Sequence, residues 1–94
     1  MKTNTDGQIE LGKQIVVIKS GFVHVGKCTL TGPVHGHAGF LVIEECKNIR
    51  NYGTTRGIGQ LASGPTNETK ADDMGYVLVP YSKVIFFVKV TGGW

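Results

Sequence analysis

The chain has 94 residues, 40% of them apolar and 14 of them glycine, with 10 Lys+Arg against 7 Asp+Glu for a formal charge of +3. That length supports one domain with a single modest core, and roughly a third of the unfolded chain's surface stays exposed, so self-association is a natural way to bury more. The mild basic bias excludes the dense cationic stripe of a dedicated duplex-DNA binder, and no apolar run approaches the roughly 20 residues of a membrane span.

Residues Met1 to Gly12 are polar, with Asp6-Gly7 as a turn signal, and read as an N-terminal arm holding a short strand at Gln8–Leu11. Lys13 to Lys19 encloses Gln-Ile-Val-Val-Ile, a β-branched run apolar on both faces and therefore central or interfacial. Ser20-Gly21 turns the chain, and Phe22 to Thr31 alternates weakly, so Lys13–Thr31 is expected to form a hairpin. Gly26 in mid-strand marks a bulge or a sharp bend.

Gly32 to Gly39 is a loop. Phe40 to Cys46 and Lys47 to Tyr52 are β-rich, with the alternation changing register near Glu44-Glu45, where a bulge or a corner is expected. A short helix is predicted over Arg56–Ala62, capped by Thr54 or Thr55 and ended by Ser63-Gly64-Pro65. Ile58, Leu61 and Ala62 share one of its faces, while Gly57 and Gly59 weaken it by about 1 kcal/mol each relative to alanine. Pro65 to Asp73 reads as a polar loop. Gly75–Tyr81 and Lys83–Val90 read as a closing pair of strands, with Pro80 at a strand end or an edge.

The resulting fold class is mainly β, a small antiparallel β-barrel or strongly bent sheet of five or six strands with one short helix, in a single domain over 1–94. Val16, Ile18, Phe86 and Phe87 leave the strands apolar on both faces. A homo-oligomer accounts for that, and so does two-sided burial within a closed barrel wrapped by the helix.

Four chemistries were weighed on these residues. His35-Gly-His37 is an H-x-H pair, but its spacing to His24, Cys28 and Cys46 matches no zinc site, and the same histidines read as loop and strand residues. Ser20, Ser63, Cys28 and Cys46 are nucleophile candidates without a carboxylate placed to orient a histidine, and Glu44-Glu45 and Asp72-Asp73 point to opposite faces on a strand. No enzyme, cofactor or metal is expected. The two cysteines fall in strand-like runs and read as buried, reduced thiols, in keeping with the cytosolic setting expected of a chain whose start shows no charged-then-apolar leader.

Anion binding is the third. Gly53-Thr-Thr-Arg-Gly-Ile-Gly offers backbone N–H groups ahead of a helix start. Arg50, Arg56 and Lys70 would neutralise phosphates, Tyr52 would stack on a base, and Thr54, Thr55, Thr66 and Asn67 would add hydrogen bonds. The same residues also read as caps, turns and solvated charges, and Gly57-x-Gly59 is no P-loop or dinucleotide fingerprint. Single-strand nucleic acid is the fourth, with Tyr52, Tyr76, Tyr81, Lys27, Lys47 and Lys89 as a dispersed set.

Val23-His24-Val25-Gly26, Ile49-Arg50-Asn51-Tyr52-Gly53 and Leu61-Ala62-Ser63-Gly64-Pro65-Thr66 together resemble a family of small tailed-phage and prophage proteins of unassigned function. The likeness runs from about Lys13 to Val90. Tyr52 stands where a tryptophan is expected, and the helix is richer in glycine. The resemblance implies a virus-encoded accessory protein in the host cytosol, similar in role to non-enzymatic sponges that withhold nucleotide messengers of bacterial defence from their effectors. The leading expectation is a homo-oligomer whose Arg50–Lys70 segments enclose a small cyclic or ADP-ribose-type nucleotide. The alternatives are an RNA or single-strand-binding small barrel and a phage structural or assembly subunit. Neither reading involves a membrane.

Overall fold

A computed structural model describes residues 2–3, 8–32 and 39–94. The expected H-x-H pair and most of the Gly32–Gly39 loop lie outside the described residues. Six antiparallel strands form one sheet: β1 (Lys2–Thr3), β2 (Ile9–Ile18), β3 (Val23–Leu30), β4 (Phe40–Asn51), β5 (Lys70–Pro80) and β6 (Val84–Lys89). The order is β1-β2-β3-β4-β5, with β6 also pairing β2. β1 and β6 share one edge of β2 end to end, β1 beside Ile9 and β6 from Gln14 to Ile18.

The sheet is open and strongly bent. Register shifts fall between Val25 and Lys27 in β3 and between Ile43 and Cys46 in β4, where Glu45 takes φ 52. Gly26 has no side chain because β4 passes over it: a Cβ there would lie 2.8 Å from the Glu44 carbonyl oxygen. An extra residue in one strand kinks the ladder and raises its twist. It also flips the side-chain parity of β4, so that Ile43 and Cys46 share one core while Ile49 joins the other.

Those two cores lie on opposite faces. Val16, Cys28, Leu41, Ile43, Cys46 and Val79 are buried inside the curl. Ile15, Val23, Val25 and Ile49 are covered by Leu61, which a 3-10 helix (Ile58–Ser63) presses onto the outer face, with Trp94 beside it. Two-sided burial of β2 is therefore met within one chain. Two edges keep apolar residues in solvent, with Tyr76 and Leu78 on β5 at 64% and 57% exposure and Ile85 and Phe86 on β6 also exposed.

Four expectations change. The strand at Gln8–Leu11 is continuous with Lys13–Lys19 as the single β2, its irregularity absorbed by a register shift between Glu10 and Gly12. Lys70–Asp73 is strand, not loop, because Asp72 and Asp73 lie opposite Asn48 and Lys47 and each carboxylate meets a β4 cation. The last two strands do not pair with each other: β5 joins β4, β6 joins β2, and a 3-10 turn (Tyr81–Lys83) carries the chain between them. The helix is a 3-10 segment starting at Ile58, since Gly57 precedes it at φ 84.

Candidate functional site

The Arg50–Lys70 segment closes on itself. Thr69 Oγ1 donates to the Tyr52 carbonyl (2.7 Å), and Thr66 Oγ1 donates to the Gly53 carbonyl (2.6 Å) while accepting from the Glu68 N–H (3.1 Å). Gly53, at φ 62, lies so close to Glu68 that a Cβ would stand 2.3 Å from its carbonyl carbon. Neither threonine caps the helix. Gln60 Oε1 instead accepts from the N–H groups of Thr55 (3.1 Å) and Arg56 (3.0 Å), and from Thr55 Oγ1 (3.4 Å). Three of the backbone donors expected to grip an anion, those of Gly53, Thr55 and Arg56, are thus already used.

Arg50 and Arg56 face different surroundings. Arg50 Nε and Nη2 donate to the Asp72 carboxylate at 3.0 and 3.4 Å in solvent, which holds its guanidinium above the usual value. Arg56 lines a shallow depression of ≈ 310 Å³ with Gln60, Ser63 and Thr91, and Arg50 does not reach it. Tyr52, Asn67 and Lys70 are exposed and Thr54 is half-buried, none of them at that depression. The structure brings Thr55 to Gln60 and Thr66 to Gly53, and it pairs Lys70 with Asn51 beside Arg50, but neither Arg50 nor Lys70 lines the depression that Arg56 lines.

A larger cavity lies on the concave side, where the end of β2 approaches the end of β5. Its volume is ≈ 580 Å³, within the range of small-molecule sites. Ile18, Val77, Leu78, Val79 and Pro80 give it apolar walls, and the exposed Lys19, Ser20 and Lys83 stand at its mouth. The Lys19 N–H donates to the Lys83 carbonyl (2.8 Å), which fixes the two lysines' backbones side by side. His24, only 5% exposed, also lines it.

His24 is placed by register. It pairs with Val16 on β2 and Asn48 on β4, so all three side chains share the inner face. Its Nδ1 is buried without a hydrogen-bond partner, and so is the Oδ1 of Asn48. Phe22 stacks on the ring, with centroids 6.3 Å apart and planes 18° from parallel. Burial lowers the histidine's pKa below 6.5, so the neutral ring prevails at neutral pH. Burial, with Cys46 nearby, pushes the Cys28 thiol up to about 12, and burial pushes Cys46 up to about 11, so both stay protonated.

The lowered His24 value has a consequence for stability. The unfolded chain takes up a proton below about pH 6.5 while the folded ring resists it, so stability is intact above that pH and declines as pH falls through it. Melting temperature is expected to drop from about pH 7.5 to about pH 5.5, and by less in a His24→Gln variant. Equal drops in the two proteins would show that His24 carries none of the effect.

Sequence reading passed over this site. The signal present was a histidine within the apolar run Phe22-Val23-His24-Val25, taken as a half-buried strand residue. Fold and cavity together define an open, curled β domain with a cation-rimmed, apolar-walled pocket. Comparison of the chain with protein-family models, curated proteins and solved structures finds no match.

Proposed function

We propose that the protein is a non-enzymatic binder that captures and sequesters a small anionic, nucleotide-derived ligand, working as a homo-oligomer. The observation that carries this reading is the ≈ 580 Å³ cavity, with Lys19 and Lys83 at its mouth and a buried histidine within. An apolar wall suits a planar base, and two ammonium groups suit a phosphate. In this reading the binding site is the cavity, and the Arg50–Lys70 segment, bonded to itself through Thr66 and Thr69, lies outside it. Exposed apolar residues on the free β5 and β6 edges support self-association. The resemblance to small phage proteins supports the setting, a virus-encoded protein withholding a cyclic nucleotide messenger in the host cytosol.

Thermal melting with a panel of cyclic dinucleotides, cyclic trinucleotides and cyclic ADP-ribose isomers tests this. A ligand at about 100 times its Kd adds about 2.7 kcal/mol, which raises the melting temperature by roughly 10 °C or more in a domain of this size. Reversal of the cavity's charge in Lys19→Glu/Lys83→Glu is expected to abolish the shift. A midpoint unmoved by every member of the panel overturns the proposal. One observation favours a second reading: Tyr52 and Arg56 on the outer loop and Lys70 at the start of β5 lie exposed, as single-strand binding requires. Affinity that falls steeply with salt and is indifferent to ring closure would select it.

A further inference from the structure

We infer that His24, oriented by Asn48, is a specificity-determining residue that accepts a hydrogen bond from the ligand, so that the cavity takes an anion bearing an N–H or O–H donor on its planar, apolar part. This rests on the ligand-binding reading above and adds which chemical feature of the ligand is read.

The inference follows from the two unpartnered atoms. Nδ1 of His24 is sealed from solvent, and its register partner on β4 is Asn48, whose Oδ1 is also sealed and unpartnered. The two atoms are not bonded to each other in the structure; because an amide oxygen is only an acceptor, a side-chain rotation that joined them would require the tautomer with its proton on Nδ1, and we take that as the liganded arrangement. A neutral imidazole protonated at Nδ1 has a bare Nε2, which can only accept. That nitrogen belongs to a ring that lines the cavity, and the Phe22 ring stacked against it restrains its plane.

A ligand without a donor at that point would leave Nε2 desolvated and unpaired, and binding sites built around a polar group reject such analogues. Lys19 and Lys83, by contrast, meet the anionic group whatever the base carries. Charge and donor are therefore read by different residues. An amino-bearing base with a phosphate has both features. A purine nucleotide lacking its amino group has only the charge.

The test compares three probes by calorimetry on the full chain: adenosine 5′-monophosphate, purine riboside 5′-monophosphate, which lacks the exocyclic amine, and ribose 5-phosphate. The adenine nucleotide is expected to bind at least about tenfold more tightly than the deamino analogue. Asn48→Leu is expected to erase most of that ratio while leaving ribose 5-phosphate affinity unchanged, and His24→Gln, which keeps an acceptor, is expected to retain part of it. Nitrogen NMR of the wild type is expected to show His24 protonated at Nδ1, with that preference lost in Asn48→Leu. Equal affinity for the adenine and purine nucleotides overturns the inference and leaves the sequestering reading intact. Failure of all three probes to bind overturns the inference, while the sequestering reading stands or falls with the cyclic-nucleotide panel. Proton occupancy at Nε2 in the wild type overturns the inference whatever the affinities.

Discussion

A Gly26→Ala variant is expected to lose about 3 kcal/mol of stability and to melt roughly 10–25 °C lower. The added Cβ would stand 2.6 Å from Ile43 Cγ2, 2.8 Å from the Glu44 carbonyl oxygen and 3.2 Å from Cys46 Cα. Ile43 is fully buried and cannot swing away, and the other two atoms are backbone. Relief requires β3 and β4 to separate at the bulge that bends the sheet. Gly59→Ala is the matched control, because a Cβ there meets open space and Gly59 lies in the 3-10 helix. It is expected to be neutral or to gain up to about 1 kcal/mol through a stiffer unfolded chain. Equal melting temperatures for the two variants would show that the close strand crossing at Gly26 does not hold in solution.

Leu61→Ala is expected to cost about 2–5 kcal/mol, read as a lower urea midpoint. Leu61 is fully buried, yet the helix bearing it is six residues long and has no side-chain cap bond at its start. The segment is held by this side chain, by Ile58 packed on the same core, and by three hydrogen bonds that its carbonyls accept from the residues after β6. Thr91 donates to the Ala62 carbonyl from N (2.7 Å) and Oγ1 (3.2 Å), and Trp94 Nε1 donates to the Leu61 carbonyl (2.7 Å). Truncation leaves a void against Ile15, Val23, Val25 and Ile49 and frees the helix to lift. Small domains have only about 5–15 kcal/mol in total, so the loss is a large share of what they have. A cost below about 1 kcal/mol would mean that the helix is not docked.

The features legible in the sequence were the local ones. The β2–β3 hairpin follows from Ser20-Gly21 between two apolar runs, and the bulges from Gly26 and from the broken alternation at Glu44-Glu45. Gly64 ends the helix as its position implies. What failed depended on partners distant in sequence. Lys70–Asp73 looks like loop until β4 supplies Lys47 and Arg50 to its carboxylates. Phe86 and Phe87 pair with Val17 and Val16 rather than with the strand just before them, because the bent sheet carries β5 across to the opposite edge of β2.

The same cause hid the cavity. Lys19 and Lys83 meet only once the sheet has curled, and no spacing rule joins them. In the Arg50–Lys70 segment, local bonds use several of the groups that composition offers to a ligand. The segment's glycine, hydroxyl and cationic residues have the composition of an anion site, but Thr55, Thr66 and Thr69 spend their hydroxyls on the loop itself, and Asp72 takes Arg50.

Proton–carbon NMR of the His24 ring during a titration with adenosine 5′-monophosphate locates the ligand most directly. Occupation of the cavity moves the His24 resonances saturably while the Arg50 and Arg56 Nε–H signals stay where they are. Movement of those arginine signals with an unmoved His24 ring would place the nucleotide on the outer loop and contradict the assignment of the cavity as the binding site.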